Sequence, residues 1–342
     1  MKRRVVLVDD EARVVQGLQR ALRTHRDAWD VHTATSGAAA LALFEAGPVD
    51  VIISDMRMPE MDGATLLAEV KRLYPETVRI VLSGQTAAEA ATRALPVAHQ
   101  FLSKPTDPVA IGELLTRTAA MKDALPDAAV RVELGRLDAL PSPRAIREEL
   151  AQAIADGADD HALTAIVERD AALALKLLQT VNSGFFGLRA RICDIGEAIA
   201  YLGVDLVEVV VASGGTVDAP PRTRAIAIAS LARQIAGGHE RGAVAYAAAL
   251  FSSLGRLAIT VTDPYIAADL ELPIAAYLLD LWGIPRVIVD ALIDVSQVEA
   301  TLAERTKLMP ADAVWIAQRL FEGTGVPDDY LVRLGVELPK AA

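Results

Sequence analysis

Apolar and polar positions repeat with two different periods along this chain, and the change falls about a third of the way in. Early on, short β-branched runs recur: RRVVLV (3–8), WDVHTA (29–34), VDVIIS (49–54), VRIVLS (78–83) and HQFLS (99–103). Helical stretches such as ARVVQGLQRALRTH and ATLLAEVKRLY lie between them. Strands that alternate with helices predict an α/β doubly wound, five-stranded parallel sheet with both faces covered.

From residue 144 the spacing of apolar residues becomes helical. IREELAQAIADG, HALTAIVERD, AALALKLLQTVNSG and ICDIGEAIAYLG place them three and four residues apart, and a Gly or Asn often closes the segment. AIAIASLARQIAGG, AVAYAAALFSSLG, LPIAAYLLDLWG, PRVIVDALIDVS and MPADAVWIAQRLFEG continue the pattern. No fixed repeat length is visible, so the second part is expected to be an all-α multi-helix domain of non-repeat type. AALFSSLGRLAI (248–259) reads as a buried helix running into a short strand. Pro141 and Pro143 favour an extended lead-in. The expected division is a first domain at 1–121, a linker at 122–134 and a second domain at 135–342, with the last helix of the first domain able to run on through the linker.

Composition narrows the class. The 342 residues suit two domains, and 52% hydrophobic content excludes a disordered chain. Apolar runs fall short of the roughly 18 residues a membrane span needs. MKRRVVLVDD reaches an acidic pair before any signal-peptide apolar core forms. The single cysteine, Cys193, excludes an internal disulfide framework. A cytoplasmic location is expected. Residues 1–120 hold 14 Lys and Arg against 15 Asp and Glu, a balance of −1. The totals of 34 and 45 leave 20 against 30 for 121–342, a balance of −10. That acidity is a poor match for a phosphate backbone, so nucleic acid is an unfavoured partner.

In a parallel sheet the loops after the strand C-termini build the site. Here they carry Asp9-Asp10, Asp55, Ser83-Gly84 and Lys104-Pro105. Three crowded carboxylates call for a divalent cation, and oxygen ligands with room for water and phosphate suit Mg²⁺. Asp55 can then attack phosphorus to give an acyl phosphate, with the cation and Lys104 neutralising the added charge. Ser83 offers a hydroxyl and Gly84 a backbone N–H to a phosphoryl oxygen. Acidic residues at strand ends also serve as helix caps, but the full set in this order favours the site.

Residues 3–120 resemble the receiver domain of two-component response regulators, through VDDE, SDMRMPEMDG, VLSGQ and FLSKP. The resemblance implies a flavodoxin-like fold and phosphorylation of Asp55 by a histidine kinase or phosphotransfer protein. It implies Mg²⁺ held by Asp10 and Asp55, by Asp9 through water, and by the backbone carbonyl of Arg57. It makes Ser83 and Phe101 the switch pair, gives Arg57 and Gln85 the tuning of phosphoryl lifetime, and suggests a cis Lys104–Pro105 bond. The two-state face would be the fourth helix, fifth strand and fifth helix of this domain.

Residues 134 to about 320 resemble the HDOD domain, a relative of HD-superfamily phosphohydrolases in bacterial signalling proteins. The carriers are LPSPRAIREEL, DAALALKLLQTVNSGFFGL, AIAYLG, AALFSSLGRLAI and LLDLWGIP, with an apparent shortening between Pro264 and Ala275. Asn182-Ser183-Gly184 with Phe185-Phe186 reads either as a helix stop with an apolar anchor or as a ligand or partner surface. HD-type hydrolysis needs His and Asp ligands around a metal, yet Ser252 and Ser253 stand in the His-Asp position and Val295-Ser296 where a His pair is suggested. Hydroxyls are weak ligands for a hydrolytic metal, so no metal is expected here. Of the histidines, His25, His32 and His99 fall in the first domain, and neither His161 nor His239 sits in a ligand cluster.

The expectation is a response regulator whose receiver accepts a phosphoryl group and whose catalytically inactive HDOD output binds a downstream signalling protein, with a homodimer as a further possibility. The alternatives are a residual metal-dependent cyclic dinucleotide phosphodiesterase and a DNA-binding regulator. The best basic cluster for the latter, Arg222, Arg224 and Arg233, is thin.

Overall fold

A computed structural model describes residues 2–84, 96–184, 186, 188, 190–212, 214–219, 222–262 and 268–338. Gln85, Phe185 and Pro264 lie outside the described residues. The chain divides into two compact units. The first is Met1–Asp138 with the short segments Ser183–Arg189 and Asp280–Gly283, and the second is Ala139–Asn182, Ala190–Leu279 and Ile284–Ala342.

In the first unit the β-branched runs form β1 (Arg3–Val8), β2 (Trp29–Ala34), β3 (Val51–Asp55), β4 (Val78–Ser83) and β5 (Gln100–Ser103). All pairings are parallel, in the order β2-β1-β3-β4-β5. Val5–Val8 and Val51–Ile53 are buried on both faces of the sheet, which is why these strands read as continuous apolar runs. The helices are α1 (Ala12–Ala21), α2 (Gly37–Glu45), α3 (Gly63–Leu73), α4 (Pro108–Ala124) and α5 (Ala128–Arg136). Ser36, Asp62 and Asp107 cap α2, α3 and α4 through their side chains. Residues 122–134, read as linker, hold the end of α4, a break at 125–127 and most of α5. Arg79, 1% exposed, binds α5 to the sheet edge: its guanidinium donates to the carbonyls of Gly135 (2.9 Å), Val97 (2.7 Å), Pro75 (3.1 Å) and Thr77 (3.2 Å). Such a set of carbonyl acceptors answers the donors of a buried guanidinium.

Among its described residues the second unit is all-helical apart from a two-residue parallel pair, Ser142–Pro143 with Thr216–Val217. Its helices are α6 (Arg144–Ala155), α7 (Asp160–Val167), α8 (Ala171–Val181), α9 (Ile195–Ala212), α10 (Thr223–Ala236), α11 (His239–Phe251), α12 (Leu254–Thr262), α13 (Glu271–Leu281), α14 (Arg286–Val295), α15 (Pro310–Glu322) and α16 (Asp328–Leu334). Helix α11 is the axis, with every residue from Gly242 to Phe251 buried. Its alanines let α8, α10, α14 and α15 approach closely. At the end of the chain Asp312, fully buried, accepts from Arg305 Nη1 (2.8 Å), the Tyr330 hydroxyl (2.8 Å) and the Met309 N–H (2.7 Å).

Two expectations are corrected, and a third is met. Residues after Ser253 form α12, a helix and not a strand, because Leu254, Leu257 and Ala258 bury one helical face and outweigh the β propensity of ITVT. Gly203 closes its helical segment as expected: its backbone, at φ 72° and ψ 163°, is non-helical, and a second helical segment follows it within α9. One stretch, His239–Thr262, is apolar and long enough to cross a membrane by length and composition, and 72% of its apolar window is buried, as in a core helix.

Candidate functional site

The C-terminal edge of the parallel sheet gathers the chemistry. β1 ends at Val8, and Asp9 follows it at 1% exposure, its Oδ1 accepting the Glu11 N–H at 3.0 Å. Asp10 beside it is exposed. Asp55 is the last residue of β3, and its Oδ2 accepts the Arg57 N–H at 3.3 Å. Asp9, Asp10 and Asp55 each offer an oxygen, all within 4.8 Å of one another. Among the described residues this is the only group of three or more His, Cys, Asp or Glu that could hold a metal ion. An oxygen-only set open to solvent through Asp10 fits a hard cation such as Mg²⁺.

Lys104 closes the site from β5. Its Nζ lies 2.7 Å from Asp9 Oδ2 and 2.6 Å from Asp55 Oδ1, and its peptide bond to Pro105 is cis. Burial pulls its pKa down, but the hydrogen bonds to Asp55 and Asp9 outweigh that and raise it, so the ammonium stays charged. The turn after β3 is held by the Gly63 N–H, which donates to the Met56 carbonyl at 3.0 Å. A Cβ at Gly63 would stand 2.2 Å from the Asp55 carbonyl oxygen, so only glycine lets α3 start this close to the acceptor strand. Sequence reasoning passed over this residue, although it closes the motif SDMRMPEMDG.

Ser83 ends β4 in register with Ser103, Gly84 follows it, and Phe101 is 4% exposed in the cluster that includes Val81, Ala98 and Leu66. Only the backbone of Ser83 is described.

Two families match parts of this chain: the response regulator receiver domain at residues 5–116, and the HDOD domain at residues 140–276. The protein is a receiver–HDOD response regulator. It is 40% identical over 119 residues to the sensor kinase CckA of Brucella abortus, 34% of this chain and 12% of that protein. It is 35% identical over 126 residues to the transcriptional regulatory protein GlrR of Escherichia coli, 36% of this chain and 27% of that one. The match thus spans well under half of these curated relatives. Among solved structures, a signal receiver domain of an HD domain-containing protein from Pseudomonas fluorescens shares 30% identity over 36% of this chain and 99% of that chain, with a TM-score of 0.34.

In the HDOD half, Ser252 and Ser253 sit at the break between α11 and α12. Their hydroxyls donate to the carbonyls of Ala249 (2.7 Å) and Leu250 (2.8 Å), one helical turn back. Ser296 does the same to Ile293 at 2.8 Å. Asn182 ends α8, and its side chain spans the loop that follows. Its amide donates to the carbonyls of Leu178 (2.9 Å) and Ile192 (2.7 Å), while its Oδ1 accepts the Ile192 N–H (2.9 Å). The buried amide therefore acts as a helix stop and a clasp. Of the basic cluster, Arg224 pairs with Glu322, and Arg233 bonds Glu168 and stacks on the Tyr246 ring at 3.8 Å.

Proposed function

We propose that Asp55 of this response regulator is the phospho-acceptor, and that its phosphorylation switches the protein contacts of an HDOD domain that has no hydrolytic activity of its own. An Asp55 carboxylate oxygen attacks the phosphorus of a phosphohistidine on a histidine kinase or phosphotransfer protein. As the new O–P bond forms, the P–N bond breaks, and the imidazole nitrogen keeps the electron pair and takes a proton. Lys104, held charged by Asp9 and Asp55, faces the added phosphoryl oxygens. Asp10, Asp55, the Arg57 carbonyl and, through water, Asp9 would hold Mg²⁺, which when bound neutralises charge on the phosphoryl group. The Ser83 hydroxyl and the Gly84 N–H receive a phosphoryl oxygen, and Ser83 with Phe101 relays the change. Water later hydrolyses the acyl phosphate and releases inorganic phosphate.

The observation that carries this reading is the Asp55–Lys104 contact of 2.6 Å inside the acidic cluster at the strand ends. Two further facts support a silent, protein-binding output. The hydroxyls at the His-Asp position are spent on backbone carbonyls, and two of the three arginines of the basic cluster are engaged inside the unit. The target is a signalling enzyme, and the cytoplasm is the compartment.

The test is phosphorylation by acetyl phosphate with Mg²⁺, followed by intact mass. Wild type gains one phosphoryl group and Asp55→Asn gains none. A labelled Asp55→Asn protein with native circular dichroism would mean another nucleophile. Affinity capture with a beryllofluoride-loaded bait against Asp55→Asn then asks for a partner that prefers one state.

A further inference from the structure

Within the second unit, four segments enclose a cavity of about 830 Å³: the residues leading into α9, the first turns of α11, one face of α14, and the residues leading into α15. Its floor is apolar, with Ala243, Val244, Ala291 and Ala311 buried. At its rim Val287 is 54% exposed and Met309 48% exposed. Large apolar side chains left in solvent beside a cavity mark an interaction surface more often than scattered ones do.

The polar side chains of this cleft are unevenly placed. Asp194, Glu197 and Glu240 crowd one end, with Asp290 and Asp294 along α14. Two of these are partly offset, Glu197 by His239 at 2.8 Å and Asp290 by Arg286 at 2.6 Å. The cations of the lining are Arg191, Arg241 and Lys307, and Arg191 is drawn away to the Asn182 carbonyl. The negative field at the crowded end is felt by both titratable groups there. Burial, and then Glu197, Glu240 and Asp194, push the Cys193 thiol up to about 11. The hydrogen bond to Glu197, with Asp194 and Glu240, raises the His239 pKa.

We propose that this cleft is the docking site for an amphipathic helix of a partner protein, whose apolar face packs beside Val287 and Met309 and whose lysine or arginine meets Asp194, Glu197 and Glu240. Helix-in-groove recognition needs these two elements, an apolar trough for anchors three and four residues apart and a charged end that fixes direction. The inference rests on the reading that the HDOD half acts by binding protein, and it says where.

Cys193, the chain's single cysteine, is half-buried in the cleft wall and reports occupancy without any engineered label. The experiment measures alkylation of Cys193 by N-ethylmaleimide in the full-length protein, read by mass spectrometry. The probes are a synthetic amphipathic leucine–lysine helix and the same helix with glutamate for lysine. The leucine–lysine helix slows alkylation about tenfold when present at ten times its Kd, and the effect weakens with salt. Met309→Asp and Glu240→Lys abolish the protection, while Val332→Asp, at an 80% exposed position outside the cleft, keeps it. Equal protection by the glutamate helix, or protection that survives both cleft variants, would overturn the assignment. Protection that grows with the protein's own concentration and needs no peptide would replace the partner helix with a second copy. Phosphorylation-dependent capture of a partner that persists in Met309→Asp removes the cleft and leaves the output reading standing. Peptide protection without any such partner does the reverse.

Discussion

His99 lies beside Arg79 in the first unit, 2% exposed, with its Nδ1 accepting the Arg79 backbone N–H at 3.1 Å. Burial, then the charges of Arg79, Lys71 and Lys122, hold its pKa well below the usual 6.5, against a smaller opposite effect from the Gly135 carbonyl. The folded protein therefore keeps the ring neutral where the unfolded chain would already bind a proton. Stability from this group is complete above about pH 6.5 and falls as pH drops toward the folded value, by about 1.4 kcal/mol per pH unit within that window. Urea midpoints between pH 8 and 5 should fall more steeply for wild type than for His99→Gln, and parallel curves would mean that other groups dominate. Gly63 has a steric rather than an electrostatic role. Gly63→Ala drives a Cβ into the Asp55 carbonyl, so we expect a loss of about 1–3 kcal/mol together with slower labelling by acetyl phosphate. A variant that melts lower yet labels at the wild-type rate would show that the strand end yields without moving the carboxylate.

At the scale of elements, Asp312 joins Arg305, α15 and α16 through one carboxylate. Removing it leaves a largely buried guanidinium and a buried hydroxyl without their acceptor, and Asp312→Ala should cost about 3 kcal/mol, read from chemical denaturation of the helical unit. Asp312→Asn should recover part of that loss. How far such elements could be read in advance depended on how local their causes are. The five strands and the gathering of side chains at their ends were legible because a parallel sheet converts apolar runs into strands and places Asp9, Asp55 and Lys104 at a single edge. The helices from 144 onward were legible by spacing, and the clasp role of Asn182 agrees with its reading as a stop. Helix α12 was misread because ITVT favours a strand locally, and its helical face is fixed only by burial from elsewhere. The pair Ser142–Pro143 with Thr216–Val217 has two residues on each side and no periodicity to detect. The cleft around Cys193 was not foreseen because its acidic residues are scattered over 194–294 and only the fold collects them.

At the scale of the whole molecule, charge and chemistry are divided. The receiver part is close to neutral and holds the acidic cluster, while the remainder carries a balance of −10. Each compact unit has its own buried core, so damage to one should spare the chemistry of the other. Asp312→Ala is therefore expected to lose helical circular dichroism at lower denaturant while still accepting a phosphoryl group on Asp55. Loss of labelling in step with the helical signal would mean that the units fold as one. The alanine-rich axis α11 also sets a clock. No face of the segment from Ala245 to Leu250 meets solvent, so its amide protons can be traded for deuterium only when the surrounding helices come apart. Those amides should be the last in the helical unit to take up the isotope, and their half-life would measure how long an individual molecule survives before it opens.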